Sequence, residues 1–238
     1  MKKLEISPGL QIIGPSLWIE PAKALVINDL HLGYEEALQR KGVLVPRFQL
    51  EEILKELESI LLLVRPKQVI INGDLKHEFG TVLRQEWKEV LELLDFLLKE
   101  IGEIIIIKGN HDIIIKPIAE KRGIKIVKKW EFQDMLIVHG DELVETKAKR
   151  IIIGHEHPAI VVREGSKREK YKCFLKGKWK GKRLIAVPSF NPLLEGTDIL
   201  KEQVLSPFLK NIRNFEVFIV HKGEAFEFGK VKEYLEER

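Results

Sequence analysis

Along the first hundred residues, apolar positions alternate between short unbroken runs and a helical spacing. Lys23–Asn28, Gln68–Asn72 and Glu103–Lys108 are short apolar runs, the last with four isoleucines in a row. Such runs suit strands buried on both faces. Between them, Arg47–Val64 sets Leu50, Ile53, Leu54, Leu57, Ile60, Leu61 and Val64 at helical intervals before Pro66. Val82–Lys99 repeats the spacing through Leu83, Trp87, Val90, Leu94 and Leu97. Leu4–Glu20 reads as short strands punctuated by Pro8-Gly9 and Gly14-Pro15. Helices alternating with buried strands predict β-α-β units.

Past Lys128 the rhythm shortens. Met135–Val138, Ile151–Ile153, Ala159–Arg163, Lys170–Leu175, Arg183–Val187 and Glu216–Val220 are strand-like stretches separated by turn residues, and Lys230–Arg238 predicts a closing helix. These stretches predict a second, more antiparallel sheet packed on the first. The expected fold class is α/β, a sandwich of two sheets flanked by helices. With no repeat, low-complexity tract or linker in between, residues 1–238 read as a single domain.

Composition narrows the setting. The longest apolar run, Ile60–Val64, is too short for a bilayer span. Glu5 and Pro8 interrupt any signal-peptide core. A lone Cys173 excludes an intramolecular disulfide and a cysteine metal site. The expected location is cytoplasmic. A charged fraction of 32% points to life at high temperature. The formal charge of +4 is uneven, because Arg163–Arg183 holds ten basic and two acidic residues.

The chemistry gathers where apolar runs end. Lys23–Asn28 is followed by Asp29-Leu30-His31, and Gln68–Asn72 by Gly73-Asp74 with His77 three residues on. Glu103–Lys108 leads into Gly109-Asn110-His111-Asp112, Met135–Val138 into His139, and Ile151–Ile153 into Gly154-His155-Glu156-His157. Six of the seven histidines occupy these ends, with His221 elsewhere. In α/β sheets such ends open onto one crevice. Imidazoles, carboxylates and an amide without thiolate suit Mn, Fe, Zn or Co. Seven candidates exceed the roughly three ligands one catalytic zinc needs and suit two ions. Taken singly, each motif also fits an ordinary turn or cap. Their joint order makes the metal reading the stronger one.

Together these motifs resemble the calcineurin-like metallophosphoesterase superfamily. The local spelling adds Asp29–Gly33, Arg40-x-Gly42, Pro46, Cys173-Phe174 and Pro188-Ser189-Phe190. It is similar to the small phosphoesterases related to the SbcD nuclease, the DNA-ligase-associated branch. The resemblance runs from about residue 24 to 197 and implies an αββα sandwich with a dinuclear centre at the strand ends. It implies that Asp29, His31 and His157 bind a first ion, that Asp74 bridges, and that Asn110, His139 and His155 hold a second. Manganese is the first choice of cofactor, with Fe, Ni, Co or Zn as alternatives. Water acidified by two cations would supply hydroxide near neutral pH. The same resemblance makes His111 the group that stabilises phosphoryl charge or protonates the leaving oxygen. His77 stands where protein phosphatases carry an acidic residue, which argues against that activity.

The expected reaction is metal-dependent hydrolysis of phosphodiesters, of nucleic acid or nucleotides. Small-metabolite phosphomonoesterase or pyrophosphohydrolase activity is the alternative, followed by an inactive scaffold. A DNA-repair partner rests on resemblance alone. In the basic segment 163–183, Lys170 and Lys172, then Lys176, Lys178, Lys180 and Lys182, follow a period of two and would line one hairpin face. Phe174 and Trp179 lie close by for base stacking, which offers a nucleic-acid contact. Lysines guarding an exposed sheet edge are the competing reading.

Overall fold

The computed structural model describes residues 1–80, 83–112, 114–165 and 167–235. The first sheet holds seven strands in chain order: β1 (Leu4–Ser7), β2 (Leu10–Ile13), β3 (Ser16–Ile19), β4 (Ala24–Asn28), β5 (Gln68–Asn72), β6 (Ile104–Ile107) and β7 (Lys125–Val127). Strands β1 to β4 are antiparallel, and β4 to β7 are parallel. The parallel part is where helices cross over. Helices α1 (Tyr34–Arg40) and α2 (Gln49–Val64) lead from β4 to β5, α3 (Arg84–Glu100) from β5 to β6, and α4 (Lys116–Lys121) from β6 to β7.

The second sheet has nine strands: β8 (Trp130–Phe132), β9 (Met135–Val138), β10 (Arg150–Ile153), β11 (Pro158–Glu164), β12 (Lys167–Trp179), β13 (Lys182–Ala186), β14 (Thr197–Asp198), β15 (Glu216–His221) and β16 (Glu224–Lys230). Its centre, β9-β10-β13, is parallel, while β12 pairs antiparallel with β11, β13 and β15. As expected, this sheet is the more antiparallel of the two, with parallel pairing at its centre and at the short β11–β14 edge. Helix α5 (Val231–Leu235) follows β16.

Period-two alternation inside the all-apolar runs sorts side chains into layers. Leu25, Ile27, Val69, Ile71, Ile104 and Ile106 face α2 and α3, where Ile53, Leu57, Val90 and Leu94 cover them. Their neighbours Val26, Ile70, Ile105 and Ile107 point the other way and meet Met135, Ile137, Ile152, Phe174 and Ile185 of the second sheet. Leu136, Ile151, Ile153 and Leu184 form an outer core with Phe208, Leu209, Phe215 and Val231. Helices thus cover the first sheet, whereas the second is covered by short α5 and the irregular segment before β15.

Candidate metal centre

Register brings the motifs together. In the first sheet Asn28 lies opposite Asn72, which lies opposite Ile107, so β4, β5 and β6 end level. In the second, Val138 lies opposite Ile153, so β9 and β10 also end level. Past the strands, the His31 amide donates to Asp74 O at 2.8 Å, Leu32 N to Leu75 O at 3.0 Å and His77 N to Leu32 O at 3.0 Å. The Asp29–Gly33 and Gly73–His77 loops are therefore held side by side. The Asn72 carboxamide donates to Val138 O at 3.1 Å and ties the two sheets together at this end.

The backbone here is strained. Among the described residues ten non-glycines have positive φ, and five of them are Asp29, His31, Asp74, His155 and His157, at 43–65°. Such conformations cost roughly 1–3 kcal/mol each and persist where surrounding structure enforces them for a purpose. Gly73 shows how tight the approach is. Its φ is +79°, and a Cβ there would come within 1.9 Å of the His139 ring. At Gly154 a Cβ would come within 2.7 Å of the Asp29 carboxylate.

Two donor groups result. Asp29, His31 and His157 bring ligand atoms within 4.8 Å of one another, and Asp74, His139 and His155 do the same. His31 Nε2 and His157 Nε2 are 3.3 Å apart, and Asp29 Oδ2 is 3.6 Å from His157 Nε2. In the second group His139 Nε2 lies 3.2 Å from His155 Nδ1 and 2.9 Å from Asn110 Oδ1. Asp74 Oδ2 joins the groups, 3.6 Å from His31 Nε2 and 3.4 Å from His139 Nε2. A third cluster of His31, His77 and His111 adjoins them. His111 Nε2 is 3.9 Å from Asp74 Oδ2, and its Nδ1 contacts the His77 carbonyl. All nine residues singled out from the sequence lie in this one crevice.

The electrostatics suit cations. Burial, helped by His157, holds His31 well below its ordinary value, and burial with His139 lowers His155. Burial and His111 bring His77 down to about 4. These rings are neutral near pH 7, the form that ligates metal. Burial opposes charge on His139, yet its hydrogen bond to Asp74 and the charge of Asp29 raise it to about 9. Asp74 is buried, but the His139 hydrogen bond and charge keep it below the usual carboxylate range. Asp29 Oδ1 and His139 Nδ1 are buried without a hydrogen-bond partner. Buried carboxylates facing imidazoles, of which His31 and His155 are held neutral, are a donor set that fits divalent transition metals, whose binding would displace the His139 proton.

Several supporting residues escaped the sequence reading. Asp112, fully enclosed, accepts from Gly109 N at 3.0 Å, Leu75 N at 3.0 Å and Lys76 N at 3.4 Å, welding the Asn110 loop to the Asp74 loop. Glu86 of α3 accepts from His77 N at 2.9 Å and Glu78 N at 2.8 Å. Glu156 accepts from Leu205 N at 2.7 Å and Ser206 N at 2.8 Å. The Ser189 hydroxyl donates to Asp29 O at 2.7 Å. For Asp112 and Glu156 an acid beside a glycine at a strand end was the available signal, but Leu75, Leu205 and Ser206, whose amides they bind, lie far off in sequence.

The basic segment differs from expectation. Lys172 turns inward and donates to the carbonyls of Ser189, at 2.9 Å, and Asn191. Lys182 donates to Thr146 O and Ala148 O, both at 2.9 Å, and Lys170 pairs with Glu202. Phe174 is fully buried between the sheets and Trp179 packs on Phe208, so Phe174 offers nothing to a base. The continuous lysine face is corrected on this ground. Edge protection does not apply at Leu175 and Lys176, where β12 has partners on both sides, whereas Lys178 pairs with β13 alone.

Comparisons with known proteins agree with the geometry. The sequence model of the calcineurin-like phosphoesterase family matches residues 22–223, and the chain belongs to that family. Among curated proteins none matches it. Its fold is similar to that of nuclease MPE from Pseudomonas putida, at TM-score 0.67 and 18% identity over 95% of this chain and 99% of that one. The phosphoesterase Yfce from E. coli matches at TM-score 0.42 and 13% identity, covering 87% of this chain and 98% of that one. No helix among the described residues is long and apolar enough to cross a membrane.

Proposed function

We propose that this chain is a dinuclear metal-dependent phosphodiesterase and that residues 1–238 act as one catalytic domain. The observation that carries the reading is the pair of donor groups sharing Asp74 Oδ2. Asp29, His31 and His157 would hold one ion, Asn110, His139 and His155 the other, and Asp74 both. Two such ions, Mn first and Fe, Ni, Co or Zn as alternatives, would supply Lewis acidity at phosphoryl oxygens and hydroxide near neutral pH.

The chain's own groups do the rest. His111 is held by its amide, which donates to Asp74 Oδ1 at 2.9 Å, so the ring leans over the donors without joining either group. It steadies the phosphoryl charge or gives a proton to the departing oxygen. His77 sits beside His31 at 3.4 Å and against the Tyr34 ring at 4.9 Å, in position to orient the second ester arm. A cleft of about 490 Å³ lined by Tyr34, Leu38, Leu193 and Leu194 together with Lys170 and Glu195 opens beside His157 and gives space for the second ester arm.

The test compares bis-p-nitrophenyl phosphate with p-nitrophenyl phosphate, with and without Mn. Diester turnover that needs metal is expected to exceed monoester turnover. His77→Ala should lower diester turnover about tenfold, as loss of one hydrogen bond to a charged group does, and spare the monoester. Preference for the monoester would assign phosphomonoesterase activity instead, and equal loss on both substrates would remove His77 from substrate selection.

A further inference from the structure

The loop that carries Asp29 and His31 owes its shape largely to residues of the second sheet. Asp29 and His31 have positive φ, 51° and 43°, a conformation that persists only where neighbours enforce it. Enforcement here falls on the carbonyls. Asn28 O accepts from Phe190 N at 2.8 Å, and Asp29 O from the Ser189 hydroxyl at 2.7 Å. His31 O accepts from the Asn191 carboxamide at 3.5 Å. Gln49 of α2 donates to Leu30 O at 3.1 Å and to His31 O at 2.8 Å. Four successive carbonyls are thus fixed, three of them by Ser189–Asn191.

The Ser189–Asn191 segment follows β13 and is itself anchored. Ser189 and Asn191 are buried, Asn191 N donates to the Ser189 hydroxyl at 3.1 Å, and Leu193 N donates to Asn191 Oδ1 at 2.9 Å. From β12, Lys172 Nζ donates to Ser189 O at 2.9 Å and contacts Asn191 O, so one amine ties both ends of the segment. This brace serves one side of the metal centre. Among the described residues, no hydrogen bond runs from Lys172 or Ser189–Asn191 to Asn110, His139 or His155. The His139 side has a brace of its own, because the Ser206 hydroxyl donates to Gly140 O at 2.7 Å.

Given the two ions proposed above, we propose that Lys172, Ser189 and Asn191 are positioning residues that set the affinity of the first ion without touching it. Asp29 Oδ2 and His31 Nε2 stand 3.6 and 3.3 Å from His157 Nε2. That spacing depends on the left-handed turns of the loop. Without the three donors the backbone relaxes toward commoner φ values, and both ligand atoms move away from His157.

Equilibrium dialysis against Mn, with bound metal counted by plasma mass spectrometry, reads each site separately in two backgrounds. His155→Ala leaves the donors of the first ion, and His157→Ala those of the second. In the His155→Ala protein, Ser189→Ala and Lys172→Met should each weaken Mn about tenfold, the scale on which groups behind a ligand tune metal affinity. In the His157→Ala protein the same changes should move it less than about threefold, as independent sites do. Ser206→Ala should reverse the pattern. Equal weakening at both sites by any of these changes would mean general loosening, and no weakening of the first site by Ser189→Ala would mean a loop that keeps its shape unaided. Either result overturns the assignment. Wild-type protein that takes up a single ion would overturn the two-ion reading, and this assignment with it.

Discussion

The two ends of the second sheet carry comparable densities of chemically active side chains but follow different logic. At the carboxyl ends, His139, His155 and His157 meet Asp29 and Asp74 of the first sheet, and almost every contact is enclosed. At the other end, Lys178, Lys180 and Arg183 are exposed, and their neighbours were committed to structural tasks. A reactive residue tied to a strained backbone position has one place to be. A cation on a flexible stem is free to serve a carbonyl, a carboxylate or solvent. Clustering at backbone-defined positions is therefore the better guide to a site than local charge.

Removing the shared carboxylate should break the carboxyl end outright. Asp74→Asn is expected to abolish turnover and release both metals, measured by plasma mass spectrometry. Two equivalents retained would remove Asp74 from the bridge. His111→Ala should follow, costing about 10²–10⁴-fold in kcat with metal content intact. Activity within about threefold of wild type would pass the role to another group, His77 first.

The inward-turned residues of the basic segment should answer in stability. Phe174→Ala empties a buried site between the sheets and should cost about 3–5 kcal/mol in denaturant unfolding. A change under about 1 kcal/mol, with weakened oligonucleotide binding, would restore Phe174 as a stacking surface. The last effect is one of pH and concerns Lys172, which burial pulls down to about 7. An unfolded lysine titrates near 10.4, so the unfolded chain holds the extra proton between those values. Stability of the wild type relative to Lys172→Met should then rise from pH 7 to pH 10. Denaturant midpoints that keep a constant difference would mean that the ammonium stays solvated.

Much of the first half was legible, because its long apolar periods belong to helices that pack on one face. Helix α2 begins at Gln49 and α3 at Arg84, within two residues of the spacing; the predicted start at Val82 lies outside the described residues. Likewise the closing helix spans Val231–Leu235, and 236–238 lie outside them. Short α1 and α4 escaped because one or two turns carry too little periodicity, and buried Glu35 interrupts the pattern of α1. Strand β12 runs for thirteen residues where six were expected, since its lysine-rich ends alternate without an apolar partner. At the site, the ligand-bearing motifs were readable because each follows its own strand. Asp112, Glu86, Glu156 and Ser189 were not, because their work is done on backbone from other loops.

The central claim is that two ions share Asp74. It is tested most directly by titrating metal-free protein with Mn while following bound metal and bis-p-nitrophenyl phosphate turnover together. Two bound ions per chain, with full turnover reached only as the second site fills, are expected. Binding that saturates at one ion with full activity, or turnover that survives complete chelation, would contradict the account.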